Sequence, residues 1–229
     1  MENIKLLIGI STSEMGLSRA HYNILALKRP PHTSFQIDEQ FDVSRSRNSI
    51  AKKMLEENFT HLFFLDSDMY FVPSQREALL NLLKHDLPVV SGLYYNRGPP
   101  HFPIMLFLSE DKPPKFKYQY CSEEDYPKNQ LVKVDACGAG CLLIKREVLE
   151  KMRPPWFLYT LWAGEDVYFC LKCRTLGYDV YVDTGVTPLH FIESVVGPTN
   201  CLQEYFAQVH GVEANYSPPI TWKLRKNES

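Results

Sequence analysis

Apolar positions along this chain switch between unbroken runs and helical spacing. Residues Ile4 to Ser11 form an almost continuous apolar run that ends in the small hydroxyls Ser11-Thr12-Ser13. A run of that kind reads as a strand buried on both faces in a parallel sheet. After a proline-rich stretch at Pro30-Pro31, Ile50, Ala51 and Met54 recur on one side of a helix while Lys52, Lys53 and Glu56 fall elsewhere. Ser44 stands where a cap belongs, so a helix is expected from about Arg45 to Glu57. His61-Leu-Phe-Phe-Leu65 has the length of a buried central strand, and Asp66-Ser67-Asp68 comes directly after it. Pro73-Ser74 opens a second helix to about His85, and Pro88 to Leu93 is the next apolar strand. Strand, helix, strand, helix, strand predicts an α/β fold with a mostly parallel sheet flanked by helices.

The pattern loosens from about 96 to 130, where Pro, Lys and Tyr accumulate and Phe102 to Leu108 is the one clear apolar stretch. Long loops and edge strands are expected there. Leu131 to Ala136 and Cys141 to Ile144 then read as strands on either side of Gly138-Ala-Gly140. Arg146 to Met152 is a short helix stopped by Pro154-Pro155. Gly164-Glu165-Asp166 starts a helix that ends at Gly177, both acids falling in its first turn, and Tyr178 to Val182 is the strand after it. His190 sits at the last junction of strand and loop. No repeat or linker interrupts the 229 residues, so a single domain, 1–229, is expected, with a loose polar tail at 217–229.

Composition narrows the function. Twenty-five basic against 27 acidic side chains leave a formal charge of −2, which argues against a nucleic-acid binder working through a general phosphate field. Hydrophobic residues at 45% suffice for one sizeable core. No apolar run approaches the roughly 20 residues of a membrane span. The first residues carry no basic leader, so a cytoplasmic, reducing compartment is expected, with the six cysteines as free thiols. Cys137/Cys141 and Cys170/Cys173 have a spacing that also suits a four-thiolate zinc site.

Asp66-Ser67-Asp68 is the strongest chemical feature. Two carboxylates at the carboxyl end of a strand can turn toward one cation, and hard oxygen ligands suit Mg²⁺ or Mn²⁺. The carboxyl ends of strands are also where open α/β sheets bind ligands, which draws Ser11, Thr12 and Ser13 into the same region. Trp156, Trp162, Tyr94 and Tyr95 can serve either as core or as flat faces for a ring.

Five segments together resemble the GT-A fold glycosyltransferases, in particular the family 2-like group that uses nucleotide sugars. They are Ser46-Arg-Asn-Ser-Ile-Ala, Phe63-Phe-Leu-Asp-Ser-Asp-Met, Val89-Val-Ser-Gly-Leu-Tyr-Tyr, Gly138-Ala-Gly-Cys-Leu-Leu-Ile-Lys-Arg and Gly164-Glu-Asp-Val-Tyr-Phe-Cys. The segments follow the family's order, and the resemblance covers about residues 3 to 190. The resemblance implies a Rossmann-like mixed sheet in which about 1–95 binds the nucleotide sugar and about 96–215 binds the acceptor.

Carried across, the resemblance makes Asp68 a direct ligand of Mn²⁺ or Mg²⁺. Asp66 reaches the donor ribose or the metal shell, and His190 is a third ligand; a hydrogen-bonded loop histidine is the plainer reading of His190. Asp166, with Glu165 beside it, matches the acid that acts as general base in inverting members, although acids in a first helical turn also stabilise the helix dipole. Arg47 and Arg45 stand near the donor's base or phosphates, Ser11, Thr12 and Ser13 near its nucleoside, and Gly138, Gly140 and Trp162 near the acceptor. The implied activity is transfer of one sugar, with inversion, from a UDP- or GDP-type donor to a hydroxyl of a carbohydrate or glycoconjugate. The chain lacks the Gln-x-x-Arg-Trp of processive members and is short for the group, which leaves room for a partner protein or domain. Two other readings stay open: a sugar nucleotidyltransferase, and a non-catalytic nucleotide- or sugar-binding scaffold of the same fold.

Overall fold

The computed structural model describes residues 3–12, 24–39, 42–112, 115–121, 124, 126–191, 195–196, 198, 200–201 and 204. Ser13 and the expected tail at 217–229 lie outside them. The main sheet has seven strands: β1 (Lys5–Ser11), β2 (His32–Asp38), β3 (His61–Leu65), β5 (Val89–Gly92), β8 (Leu131–Val134), β10 (Cys141–Lys145) and β11 (Val180–Asp183), in the order β2-β1-β3-β10-β5-β11-β8. Strands β2, β1, β3, β5 and β11 run one way, β10 and β8 the other. The mostly parallel α/β sheet expected from the apolar runs is present.

Alternation along the strands divides the core between the two faces. In β3, Leu62 and Phe64 join one cluster, which α1 (Val43–Glu56), α3 (Arg146–Lys151) and α4 (Glu165–Thr175) cover with Ile50, Met54, Val148, Leu149 and Phe169. Phe63 and Leu65 join the other, covered by α2 (Ala78–Lys84) with Leu79 and Leu82. A strand covered on both faces has no polar side to show, which is why β3 reads as a continuous run. Cys137, Cys170 and Cys173 belong to the first cluster and Cys141 to the second, so the sheet divides the four thiols that zinc would need together.

Local chemistry shifts several expected boundaries. Helix α1 starts at Val43 because Asp42 is the cap, its Oδ1 accepting from the Ser44 and Arg45 amides at 2.8 and 3.3 Å; Ser44 falls in the first turn. Pro73–Gln75 is a separate turn of 3₁₀-helix ahead of α2. The apolar stretch at 131–136 breaks at Asp135, after which β9 (Ala136–Cys137) leaves the main sheet to pair with β6 (Met105–Lys112). Beside it β7 (Lys115–Tyr120) forms a hairpin with β6. Strand β2 was not expected; its burial alternates without a strong apolar face because it is an edge strand. A third sheet joins β4 (Met69–Tyr70), β12 (Leu189–Phe191) and β13 (Val195–Val196). Among the described residues no helix is long and apolar enough to cross a membrane.

Candidate active site

The candidate side chains gather where β3 ends. The Asp66 amide donates to the carbonyl of Gly140 at 3.0 Å, so the glycines that lead into antiparallel β10 lie against the carboxyl end of β3. Gly140 permits this approach: a Cβ there would stand 2.9 Å from Asp66 Oδ2 and 2.8 Å from Met69 Cε. Its amide donates to the buried Tyr94 hydroxyl at 2.8 Å. Burial, then the charges of Asp66 and Asp166, hold that phenol well above the ordinary tyrosine pKa. Gly138 also packs on Tyr94, where a side chain would collide with the ring.

The third sheet brings His190 to Asp68 across 122 residues of chain. Strand β12 pairs antiparallel with β4, placing His190 opposite Met69, and the Phe191 amide donates to the Asp68 carbonyl at 2.8 Å. His190 Nδ1 lies 2.7 Å from the Tyr95 carbonyl, which can only accept, so Nδ1 carries the proton and Nε2 the lone pair. Nε2 is 3.2 Å from Asp68 Oδ2. Burial pushes the imidazole below its ordinary pKa, the Tyr95 carbonyl opposes this, and the charge of Arg97 adds to it. Arg97 pairs with Asp68 Oδ2 and donates from Nε to His190 Nε2 at 2.9 Å. Asp68 Oδ1 is buried and, among the described residues, has no hydrogen-bond partner.

A buried cation joins this region to the first turn of α4. Arg47, on α1, donates to both oxygens of Asp66 at 2.8 and 3.1 Å and pairs through its other amino group with Glu165, 118 residues away. Burial would depress the guanidinium, but Asp66 and Glu165 outweigh it and raise its pKa. With Asp66 and Glu165 both paired to Arg47, Asp166 is the carboxylate of the first turn left for other work. Burial first, then the charge of Glu165, push it up to about 6, while Arg47 and the Val167 amide, a donor to its Oδ1 at 2.7 Å, pull the other way. A carboxylate poised there can exchange a proton near neutral pH.

The remaining expected residues take different places. Ser11 and Thr12 are buried at the end of β1, where Ser11 Oγ accepts from Ser46 Oγ at 2.8 Å, tying the strand to α1. Arg45 turns outward, its side chain 79% exposed beside Asp42. Trp162 is 54% exposed on the segment before α4, whereas Trp156, Tyr94 and Tyr95 are core residues. Among the described residues no three His, Cys, Asp or Glu side chains converge as a metal cluster. Within this site both oxygens of Asp66 accept from Arg47. Sequence reasoning missed Arg97, which lies in a loop with no periodic signal. It also missed Asn48, which clamps the segment before α4 by accepting from the Trp156 and Phe157 amides at 2.8 and 3.2 Å and donating to the Phe157 carbonyl at 2.6 Å.

No family model matches this chain, and no curated protein sequence matches it. Solved structures do. The crystal structure of A197 from STIV superposes with a TM-score of 0.57 at 23% identity, over 82% of this chain and 86% of that one. GalNAc-T7 solved with UDP, GalNAc and Mn²⁺ superposes with a TM-score of 0.54 at 13% identity, over 80% of this chain. This chain spans 43% of that second protein. The fold is therefore GT-A-like.

Proposed function

We propose that this protein is a metal-dependent glycosyltransferase that moves one sugar, with inversion, from a nucleoside-diphosphate sugar to a hydroxyl of a carbohydrate or glycoconjugate. The observation that carries the reading is the meeting of Asp68 and His190 at the end of β3, with a buried Asp68 oxygen unsatisfied among the described residues, beside the Asp66–Arg47–Glu165 chain that leads to Asp166. A hard carboxylate and an imidazole lone pair suit Mn²⁺, and Mg²⁺ less well. The neighbour solved with UDP, GalNAc and Mn²⁺ supports a nucleotide-sugar donor.

Asp68 and His190 would hold the cation. Bound there, it supplies positive charge at the diphosphate oxygens as negative charge develops on the departing nucleotide. Asp66, held in place by Arg47, faces the donor ribose or the metal's outer shell. Asp166 accepts the proton of the acceptor hydroxyl as that oxygen attacks the anomeric carbon from the side opposite the diphosphate. Glu165 keeps Arg47, and so Asp66, in register. Ser11 and Thr12 line the nucleoside side, with Arg45 at the rim, and Gly138, Gly140 and Trp162 the acceptor side. On this reading about 1–95 binds the donor and about 96–215 the acceptor.

Calorimetric titration of UDP, GDP, CDP and dTDP, each with Mn²⁺ and again with EDTA, tests the proposal. One nucleotide should bind only with metal and lose affinity in Asp68→Ala. Binding of none, or binding indifferent to EDTA and to Asp68→Ala, overturns it.

A further inference from the structure

One exposed side chain engages Asp68 Oδ2 and His190 Nε2 together. Arg97 pairs with Asp68 Oδ2 while its Nε–H donates to His190 Nε2 at 2.9 Å. Behind them Asp68 Oδ1 is buried and, among the described residues, unpartnered, so the guanidinium satisfies the outer oxygen and leaves the inner one unmet. The Tyr95 carbonyl, two residues before Arg97 in sequence, keeps the proton of His190 on Nδ1, and Nε2 presents its lone pair to whatever cation is near. The Arg97 side chain is 61% exposed and enters the site from solvent. Its loop is closed on itself, the Asn96 amide donating to the Phe102 carbonyl at 3.0 Å and the His101 amide to the Gly98 carbonyl at 2.9 Å. A fixed backbone and a long exposed side chain let the head group leave without the loop unfolding.

We infer that Arg97 is a built-in stand-in for the divalent cation. It neutralises Asp68 in the ligand-free protein, gives up Asp68 and His190 when the cation arrives, and then pairs with the diphosphate of the donor. The inference rests on the proposed transferase reading and states how that site couples its two ligands. A cation arriving alone must break an ion pair and finds no compensation for the displaced charge. A cation arriving with a nucleoside diphosphate releases a guanidinium beside phosphate oxygens, which its planar donors match two at a time. Each ligand therefore favours the other, and the coupling is reciprocal, on the order of tenfold.

The test is calorimetric titration of Mn²⁺ into the full chain, alone and with UDP or GDP present, for wild type, Arg97→Ala and His190→Ala. Wild type is expected to bind Mn²⁺ about tenfold more tightly with the nucleotide than without. In Arg97→Ala, Mn²⁺ alone should bind roughly five- to tenfold more tightly than to wild type, and the nucleotide's enhancement should fall to a fewfold or less. If Arg97→Ala melts well below wild type, Arg97→Gln, which keeps the bulk and loses the charge, is read by the same criterion. Mn²⁺ affinity that depends on His190 but is unchanged or weaker without the Arg97 charge overturns the stand-in and leaves the transferase reading intact. Mn²⁺ binding that ignores His190→Ala, or that no variant shows, overturns both.

Discussion

Asp166→Asn should leave the protein more stable and unable to transfer sugar. The carboxyl of Asp166 titrates near 6 in the fold against an ordinary 3.8, raised by burial and by Glu165. At about 1.4 kcal/mol per tenfold in acidity, that displacement corresponds to roughly 3 kcal/mol of cost to the folded state at neutral pH. Asp166 is half-buried, and water on its open side reduces the figure to about 1–2 kcal/mol. Asparagine removes the charge and keeps an Oδ1 to accept from the Val167 amide. For a chain of this length the gain is expected to raise the Tm by roughly 3–6 °C at pH 7.5. The pH dependence fixes the cause. Between about pH 4 and 6 the folded state binds more protons at this group than the unfolded chain, so wild-type stability falls as pH rises through that window. The advantage of the variant should therefore be full above pH 6.5 and vanish below about pH 4. Differential scanning fluorimetry from pH 4 to 8 on both proteins measures it. A variant less stable than wild type at pH 7.5, or an advantage that does not change with pH, refutes the presence of a half-buried, repelled carboxylate here.

Three further outcomes are expected. In wild type, transfer measured with the nucleotide sugar that binds should rise tenfold per pH unit below about 6 and level off above it, as Asp166 ionises; Asp166→Asn should abolish both the activity and that limb, and a flat profile would remove Asp166 as the base. Arg47→Ala strips the buried partner from Asp66 and Glu165 and should cost about 3–5 kcal/mol in chemical denaturation, whereas a loss below 1 kcal/mol would mean that the two carboxylates are not held by Arg47. Gly140→Ala sets a methyl against Asp66 Oδ2 and Met69 Cε and should cost about 1–3 kcal/mol along with nucleotide affinity; unchanged binding of UDP or GDP with Mn²⁺ would show that the Asp66 carboxylate can move without consequence.

Much of the scaffold was legible in the chain because burial leaves a local signature. β1, β3 and β5 stand out as apolar runs since helices cover both their faces, and α1 stands out by Ile50, Ala51 and Met54 on one side. The Asp66-Ser67-Asp68 turn was legible because its polar groups follow an apolar run directly, and the start of α4 by Gly164 and the two acids of its first turn. Strand β2 was not, because at a sheet edge His32 to Asp38 need not exclude water and so carries no strong period. The cap of α1 passed from Ser44 to Asp42 on the direction of one carboxylate, which no composition encodes.

What only the tertiary structure decided is which distant groups meet. Nothing along the sequence says that β10 enters antiparallel between β3 and β5, yet that insertion sets Gly140 against Asp66. Nor does it say that β12 pairs with β4, which brings His190 to Asp68, or that Arg47 reaches Asp66 and Glu165 at once. Hydrophobic period reports how each residue is solvated, a property of its own few neighbours in the chain, and so it specifies elements and their faces. Register between strands and the direction of charged side chains follow from satisfying hydrogen bonds and charges across more than a hundred residues, and those are conditions that only the assembled sheet imposes.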